Sequence, residues 1–442
     1  MSMRRAGIVV GTLCIAGFAA VAALGARSPQ AASATSQPTR LVEQDVAVAS
    51  AAASSSADIS EEELNARFEK FVADFDKFYP NDAERTMRRD VFRRNLGRID
   101  EMNAAAAAHA ASLLKGDSEG GEGGGGGLDV DIQVDPAPGY ATYDVTWFAD
   151  WTREEFQAQL NSGKVSDEAK DHARAKTQDF PKDYDDVPCQ AKTRYPELCD
   201  ISPKDMPSGF DWRDLGAVTK VKNQAMCGSC WSFSVTGDLE GSWYVTGHDL
   251  ISLSEQQLVT CDTQWNQGCN GGWPALSMLY IADVGGIVPE EIYPYRKVNM
   301  YGPTTHPPVC SDVVKEGNYA ATLEFEVAVA QGSMDEDLMA YYIMRNGPMS
   351  VALDATGMDF YSDGVDMGGF CNPMDLNHAV LIVGWGVDQR GTKYWIVKNS
   401  WAVWWGERGY YRLVRGFDAC GIASEATKTL VGDASVSASL SV

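Results

Sequence analysis

Aromatic residues recur at helical spacing in the segment that begins at residue 61. In "EEELNARFEKFVADFDKFY", Phe68, Phe71, Phe75 and Phe78 are separated by three or four positions, which predicts a helix with these residues on one face. Pro80 breaks this pattern, and "ERTMRRDVFRRNLGRIDEMN" predicts a second helix with one apolar and one strongly basic face. The basic face alone indicates only a solvated surface.

Low-complexity sequence separates these helices from a second aromatic segment. Residues 104–139 are rich in alanine and glycine, include five consecutive glycines, and are predicted not to pack. "YATYDVTWFADWTREEF" then predicts a short strand and a helix that Thr152 caps, with Glu155 at the third helical position. Residues 161–205 are charged and interrupted by proline, which indicates an extended connector.

The pattern changes at Met206, where aromatic residues, glycine and cysteine become dense. "CWSFSVTGDLEGSWYVTG" predicts a helix that Gly247 ends, and "LSEQQLVTC" predicts a second one with a capping box of Ser254 and Gln257. Further on, "HAVLIVGWG" and "KYWIVKNSW" are strand-like and are joined by the turn sequence "VDQRGT". The predicted fold class is therefore α+β, with a helical part followed by a β part.

The N-terminal residues resemble a targeting segment. Arg4 and Arg5 precede an uncharged apolar run from Ala6 to Ala26, so we interpret residues 1–26 as a secretory signal peptide, with an uncleaved signal anchor as the alternative. Residues 27–60 are rich in Ser, Ala and Gln and are predicted to be a disordered linker. Entry into the secretory pathway would permit disulfides downstream.

The acidic composition argues against one class of partner. The chain has 442 residues and a formal net charge of −24, whereas binding to nucleic acid favours clustered Lys and Arg. We therefore expect no nucleic-acid partner.

Two cysteines three positions apart, Cys227 and Cys230 in "QAMCGSCWSF", could form a redox dithiol, half of a zinc site or an accidental pair. Zinc is disfavoured because Cys261 and Cys269 are eight apart and the sequence has no His pair at ligand spacing. The redox interpretation stays open because Cys230 begins a helix. Nine cysteines follow the signal segment, namely Cys230 and eight others. An even set of eight suggests four disulfides, with one thiol left over.

A thiol nucleophile needs a base, and His378 is the candidate. It begins an apolar strand, where the simplest interpretation of a lone histidine is a hydrogen-bonded edge residue. Asn399 ends the strand that pairs with it and could orient the imidazole. Cys230, His378 and Asn399 would then form a nucleophile, a base and an orienting group.

The segments "QAMCGSCWSF", "NHAVLIVGWG" and "KNSWAVWWGERGYYRL" occur in this order and resemble the papain-like cysteine peptidases of the cathepsin L-like type. The resemblance implies a two-part fold, with a helical left subdomain and an antiparallel, β-barrel-like right subdomain at residues 206–430. It also implies that Cys230 is the nucleophile, that Gln224 helps to bind the oxyanion, and that Trp401 shields the contact between Asn399 and His378.

The resemblance extends to residues 61–160, which would form a mostly helical inhibitory propeptide domain that contains the low-complexity insert. Six residues match the family's interspersed helix motif: Glu84, Arg88, Phe92, Asn95, Ile99 and Asn103. The strand motif that follows is half kept. Phe148 and Asp150 match it, but Asp144 and Thr146 stand where Gly and Asn are usual. Residues 161–205 would be the connector or activation segment, and 431–442 a C-terminal tail.

Substrate-binding residues and disulfides are also implied by the resemblance. The backbone of Gly271 and Gly272 would bind an extended peptide, and the main specificity pocket would be lined by Trp273, Pro274, Ala352, Leu376, Ala379 and Glu425. Glu425 would let the pocket accept Arg as well as Leu or Phe, unless it points to solvent. The implied disulfides are Cys227–Cys269, Cys261–Cys310 and Cys371–Cys420, which leaves Cys189–Cys199 as a pair within the connector.

We therefore expect a cysteine endopeptidase that is made as a zymogen and activated by propeptide removal at acidic pH. No insertion interrupts "GCNGG", which favours endopeptidase action. The alternatives are a thiol–disulfide oxidoreductase that uses Cys227 and Cys230, and a non-catalytic binding protein on a peptidase scaffold. We expect no cofactor or metal. The expected partners are protein or peptide substrates and the chain's own propeptide. We expect a monomer in a lysosome or vacuole or outside the cell, with no stable membrane association unless the N-terminal segment is uncleaved.

Overall fold

The structure is a computed structural model that describes residues 59–116, 140–160, 165–297, 310–315, 319, 325–330 and 332–431. The predicted signal segment 1–26, nearly all of the linker 27–60, the glycine-rich part of the insert and the tail from residue 432 lie outside the described residues. In the described part of the chain, no helix is both long enough and apolar enough to cross a membrane.

Residues 61–160, which we call the pro-region, begin with two helices, α1 (Glu61–Asp74) and α2 (Asp82–Gly116). Phe68, Phe71 and Phe92 join them, with the Phe92 ring centroid 5.6 and 4.9 Å from the other two. The prediction for Phe78 was wrong: α1 ends at Asp74, so Phe78 lies beyond the helix and is 69% exposed. The expected start of the unpacked insert was also too early, because its alanines continue α2 to Gly116, as their helix propensity favours.

The helix-motif residues hold α2 against the segment 140–160, which contains β1 (Thr142–Tyr143) and α3 (Arg153–Gln159). The Arg88 guanidinium donates to both carboxylate oxygens of Glu155 at 2.6 and 2.8 Å. The Asn95 side-chain amide donates to the carbonyls of Ala149 and Trp151. These polar bonds fix the position of the chain that contacts the rest of the protein.

The connector is helical and packed, in contrast to the extended segment that was predicted. It contains α4 (Asp167–Lys176), β2 (Gln178–Asp179) and α5 (Pro196–Asp200). Short 3-10 turns lie at Tyr184–Asp186, Gln190–Thr193 and Pro203–Asp205. Ser166 caps α4 by accepting a hydrogen bond from the Ala169 N–H at 3.2 Å.

The helical part beyond residue 206 is formed by α6 (Cys230–Val245), α7 (Glu255–Cys261) and α8 (Pro274–Val284), and two further helices, α9 (Asp312–Lys315) and α10 (Glu336–Asn346), follow. The strands are β3 (Phe210–Asp211), β4 (Phe325–Val329), β5 (Met349–Leu353), β6 (Tyr361–Asp363), β7 (Val365–Asp366), β8 (His378–Val387), β9 (Lys393–Lys398), β10 (Tyr410–Val414) and β11 (Ala426–Val431).

Nine of the described strands form one sheet in the order β2-β4-β11-β5-β8-β9-β10-β7, and β3 pairs with β8. The pairs are antiparallel except β2 with β4 and β7 with β10. Helix α6 lies against β8, since the Ser234 hydroxyl donates to the Val380 carbonyl at 2.6 Å. This is the α+β architecture that the sequence predicted, with a helical part beside an antiparallel sheet.

The pro-region docks by adding a strand. β1 pairs antiparallel with β6, with Thr142 opposite Asp363 and Tyr143 opposite Tyr361. Position 364 must be glycine, because its φ is +92° and a Cβ there would lie 2.0 Å from the Tyr140 carbonyl oxygen. The Arg98 guanidinium adds a 3.0 Å ion pair with the buried carboxylate of Asp359. Backbone pairing and a charge pair thus hold the pro-region on the β part.

Among the described residues there are four disulfides, which join the pairs expected from the sequence: Cys189–Cys199, Cys227–Cys269, Cys261–Cys310 and Cys371–Cys420. Cys230 is buried and is not part of a disulfide.

Candidate active site

Cys230 is the first residue of α6, and its side chain is fully buried. Its neighbour Cys227 is bonded to Cys269, so the two cysteines of "CGSC" do not form a dithiol pair. Ser234 lies one turn after Cys230, and its hydroxyl bonds to β8 two residues after His378. The starts of α6 and β8 are therefore neighbours, which brings the thiol and the imidazole into one region.

His378 and Asn399 are joined by a hydrogen bond of 2.9 Å between Nε2 and Oδ1. The same Asn399 oxygen accepts the Ser400 backbone N–H at 2.8 Å, which fixes the orientation of the amide. Because Oδ1 can only accept, Nε2 carries the proton in the neutral ring and Nδ1 keeps a lone pair. Nδ1 is buried and has no hydrogen-bond partner among the described atoms, so it is free to accept a proton.

Burial lowers the pKa of His378 to about 4, and the Asn399 hydrogen bond offsets only part of this effect. The imidazole is stacked on Trp401, with ring centroids 4.7 Å apart. Two residues of the pro-region also contact this indole. Phe148 and Phe156 meet Trp401 edge-on, with ring centroids 5.1 and 5.5 Å away. In the intact chain the histidine is therefore neutral at neutral pH.

Gln224 is held by bonds to both ends of its side-chain amide. Its Oε1 accepts the Ser400 hydroxyl at 2.6 Å, and its Nε2 donates to the Cys227 carbonyl at 2.9 Å. Because the Cys227 carbonyl can only accept, its bond assigns the N–H end of the amide, which therefore faces the loop that leads to Cys230. This is the orientation that an oxyanion donor requires.

Two residues that support this arrangement were missed from the sequence. Ser400 directly follows Asn399, and that adjacency could have identified it. Tyr295 could not have been found, because it lies 71 residues from Gln224 in the chain. Its hydroxyl donates to the Gln224 carbonyl at 2.9 Å and lies 2.8 Å from the Ser229 hydroxyl. Burial raises the pKa of Tyr295 well above its usual range, so the donor keeps its proton.

Four of the six expected pocket residues come together. Ala352 and Ala379 are cross-strand partners, and the Ala352 N–H donates to the Glu425 carbonyl at 3.0 Å. The Lys170 ammonium of α4 lies 3.8 Å from the Glu425 carboxylate and 5.8 Å from the Trp273 ring centroid. The Glu425 side chain is 22% exposed, and its second oxygen is buried. It therefore does not point freely to solvent.

The remaining expected residues have clear structural surroundings. Pro274 is the first residue of α8, where proline fits best, and Leu376 is half-buried against Gly421. Gly272 lacks a side chain for a packing reason, since a Cβ would lie 2.7 Å from Trp231 and from the Asn266 oxygen. Gly271 has a φ of +115°, which favours glycine.

Among the described residues, no group of three or more His, Cys, Asp or Glu side chains could hold a metal ion. The polar groups that the fold brings together here are a thiol, an imidazole and two side-chain amides.

Comparison with known proteins identifies the family. The family described as papain family cysteine protease matches residues 206–430, and the cathepsin propeptide inhibitor domain matches residues 68–156. The chain therefore belongs to the papain family of cysteine proteases and carries that family's inhibitory propeptide domain.

Individual relatives agree with this assignment. Cysteine proteinase 1 of Dictyostelium discoideum is 33% identical over 84% of this chain and 93% of its own. Cathepsin F of Drosophila melanogaster is 33% identical over 82% of this chain, which spans only 50% of that protein. The solved structure of digestive procathepsin L2 proteinase from Tenebrio molitor larval midgut matches with a TM-score of 0.61 and 31% identity, over 83% of this chain and 99% of its own.

The lowered pKa of His378 predicts an acid-dependent loss of stability. The unfolded chain binds a proton near pH 6.5 and the folded zymogen only near pH 4, so unfolding becomes easier as the pH falls through this window. In a Cys230→Ala precursor, which lacks the candidate nucleophile, the free energy of unfolding should fall between pH 7 and pH 4 by about 3 kcal/mol more than in the same protein with His378→Gln.

Urea titration at both pH values measures this difference. His172→Gln is the matched control, because it removes a histidine and keeps His378. Equal pH dependence with and without His378 would contradict the assignment.

Proposed function

We propose that this protein is a cysteine endopeptidase that is made as an inactive zymogen and hydrolyses peptide bonds through an acyl-enzyme. The observation that carries the proposal is the arrangement around Asn399. This residue orients His378, and the next residue orients Gln224. Cys230, which is not part of a disulfide, begins the helix packed against the strand of His378.

In the proposed mechanism, the His378 Nδ1 takes the proton of the Cys230 thiol, and the N-terminal end of α6 favours the negative charge on sulfur. The sulfur attacks the substrate carbonyl, and the oxyanion accepts hydrogen bonds from the Cys230 backbone N–H and the Gln224 amide. The imidazolium then gives its proton to the leaving amine. Water, with His378 as base, adds to the thioester, releases the acid product and restores the thiol.

The pro-region and the connector would inhibit this chemistry because they cover residues on two sides of the site. Phe148 and Phe156 lie on Trp401 beside His378, and Lys170 lies between Trp273 and Glu425. Acidification would favour release, because burial disfavours protonation of His378 and a charged imidazole therefore destabilises the covered state.

The pocket formed by Trp273, Ala352, Ala379 and Glu425 would bind the side chain that precedes the residue at the cleaved bond. Lys170 supports a basic preference, since an ammonium already lies over the Trp273 ring and faces the Glu425 carboxylate. Leu and Phe would bind the apolar wall of the same pocket.

The remaining parts of the proposal concern setting and assembly. A protein of this family with a signal-like N-terminal segment would act in the secretory pathway, in a lysosome or vacuole or outside the cell. It would act as a monomer on protein and peptide substrates. A redox function through Cys227 and Cys230 is disfavoured by the Cys227–Cys269 disulfide, and a purely binding function by the intact set of polar groups.

Activity of the purified precursor after mild acidification tests the proposal, with a Phe-Arg fluorogenic peptide as substrate. The unmodified precursor should shorten by about its pro-region and cleave the peptide, and Cys230→Ala should do neither. Gln224→Ala should lower kcat by roughly 10²–10³-fold, because it removes one oxyanion donor. Gln264→Ala, an exposed glutamine, is the matched control and should leave kcat unchanged. No activity in a precursor whose thiol is reduced and whose pro-region has been removed would refute the proposal.

Glu425→Ala tests the pocket. Cleavage of an Arg-Arg peptide should fall by about tenfold or more, since a hydrogen bond to a charged group contributes roughly 1.5–3 kcal/mol, whereas cleavage of a Phe-Arg peptide should be nearly unchanged. Asp283→Ala is the matched control. Asp283 is exposed and pairs with Lys176, which lies on α4 together with Lys170. An equal loss on both peptides would exclude Glu425 from the pocket.

A further inference from the structure

The connector has two parts that contact the protein in different ways. We call α4 (Asp167–Lys176) the pocket helix and residues 187–205 the stapled segment, because the latter contains the Cys189–Cys199 disulfide. Between them lies a stretch, residues 177–186, in which Gln178, Asp179, Lys182, Asp183, Asp185 and Asp186 are exposed.

The pocket helix must leave before a substrate can bind, an argument that rests on the proposed function. Its Lys170 lies where the substrate side chain would lie, between Trp273 and Glu425. The pocket helix makes few contacts with the rest of the protein. Ala169 and Ala173 are its buried residues, and its ion pairs with Glu425 and Asp283 are long, at 3.8 and 3.9 Å.

The stapled segment is instead part of the core of the peptidase domain. Val187, Ala191 and Leu198 are buried, and the Tyr195 ring lies 5.8 Å from the ring of Trp212. The Gln190 N–H donates to the Asn346 side chain at 3.1 Å, and the Gln190 side chain donates to the Val431 carbonyl at 3.2 Å. Loss of the segment would leave apolar surface exposed and buried polar groups unpaired.

The stapled segment also supports the catalytic helix. The Arg194 guanidinium donates to the carbonyls of Tyr244 and His248 at 2.8 and 2.7 Å, at the C-terminal end of α6. A cation at this end satisfies carbonyls that lack partners within the helix and complements its dipole. Cys230 begins this same helix. The segment is therefore bonded to the far end of the element that presents the nucleophile.

We propose that activation cuts the chain within residues 177–186, and that the stapled segment stays on the mature enzyme as an N-terminal extension. The cut is hydrolysis of one peptide bond, with water as the second reactant, and the enzyme's own activity can supply it. This mostly exposed stretch connects the part that must leave to the part that must stay. Its contacts include the pairing of Gln178 and Asp179 with β4 and the ring contacts of Phe180 with Tyr342 and of Tyr184 with Tyr341. The Cys189–Cys199 bond lies wholly inside the retained part.

N-terminal sequencing and intact mass of the reduced, acid-activated enzyme test this proposal. The expected first residue lies between 178 and 187. A first residue beyond 187 would mean that the stapled segment leaves, and one before 178 would mean that the pocket helix stays. Either result overturns the proposal.

The position of the cut can also be mapped without self-processing. If the precursor stays whole in acid, which counts against the proposed activity, the Cys230→Ala protein is digested briefly with added subtilisin. The stable core should then begin between residues 178 and 187, and a core that begins later overturns the proposal.

A pair of variants gives a second readout on the processed enzyme. Arg194→Ala should lower its Tm, because the retained segment no longer caps α6. Arg174→Ala, on the pocket helix, should leave the Tm of the processed enzyme unchanged. An unchanged Tm for Arg194→Ala would overturn the proposal as well.

Discussion

The aromatic stack on Trp401 is the contact on which the zymogen state depends. On one face the indole covers the His378 imidazole, and its other neighbours include Phe148 and Phe156 of the pro-region. Burial, to which this stack contributes, lowers the pKa of the histidine and keeps it neutral at neutral pH. One set of aromatic contacts therefore blocks access to the site and holds its base in the uncharged form.

Three consecutive residues, 399–401, organise the rest of the site. Asn399 orients the imidazole, Ser400 orients the Gln224 amide, and Trp401 is stacked on the imidazole. Because all three follow β9, their positions depend on the pairing of β9 with β8, the strand that begins with His378. The sheet thus aligns the proposed base with the proposed oxyanion donor, and α6 brings the proposed nucleophile to the same edge.

Local sequence patterns predicted the elements that local interactions determine. The helix that begins at Cys230, the hairpin of β8 and β9 and the capping box of Thr152 and Glu155 are all present. The second predicted capping box is incomplete. Ser254 caps α7, but the Gln257 side chain bonds to Gly286 and Val288, which are distant in sequence.

The long-range contacts could not be predicted from the pattern. The connector appears polar and extended as a sequence, yet it folds because Gln190, Arg194 and Arg345 find backbone partners across more than 40 residues of chain. The contact of Lys170 with Glu425 joins two residues more than 250 positions apart, so no periodicity could indicate it. The family resemblance indicated the proposed catalytic residues, but the contacts that hold them could be seen only in the fold.

The central claim is that the attached pro-region keeps the catalytic groups buried, and the reactivity of Cys230 toward iodoacetamide tests it most directly. The account predicts that the Cys230 thiol of the intact zymogen at pH 7 is alkylated far more slowly than that of the processed enzyme, because Cys230 and His378 are fully buried in the zymogen. Equal alkylation rates before and after removal of the pro-region would contradict the account.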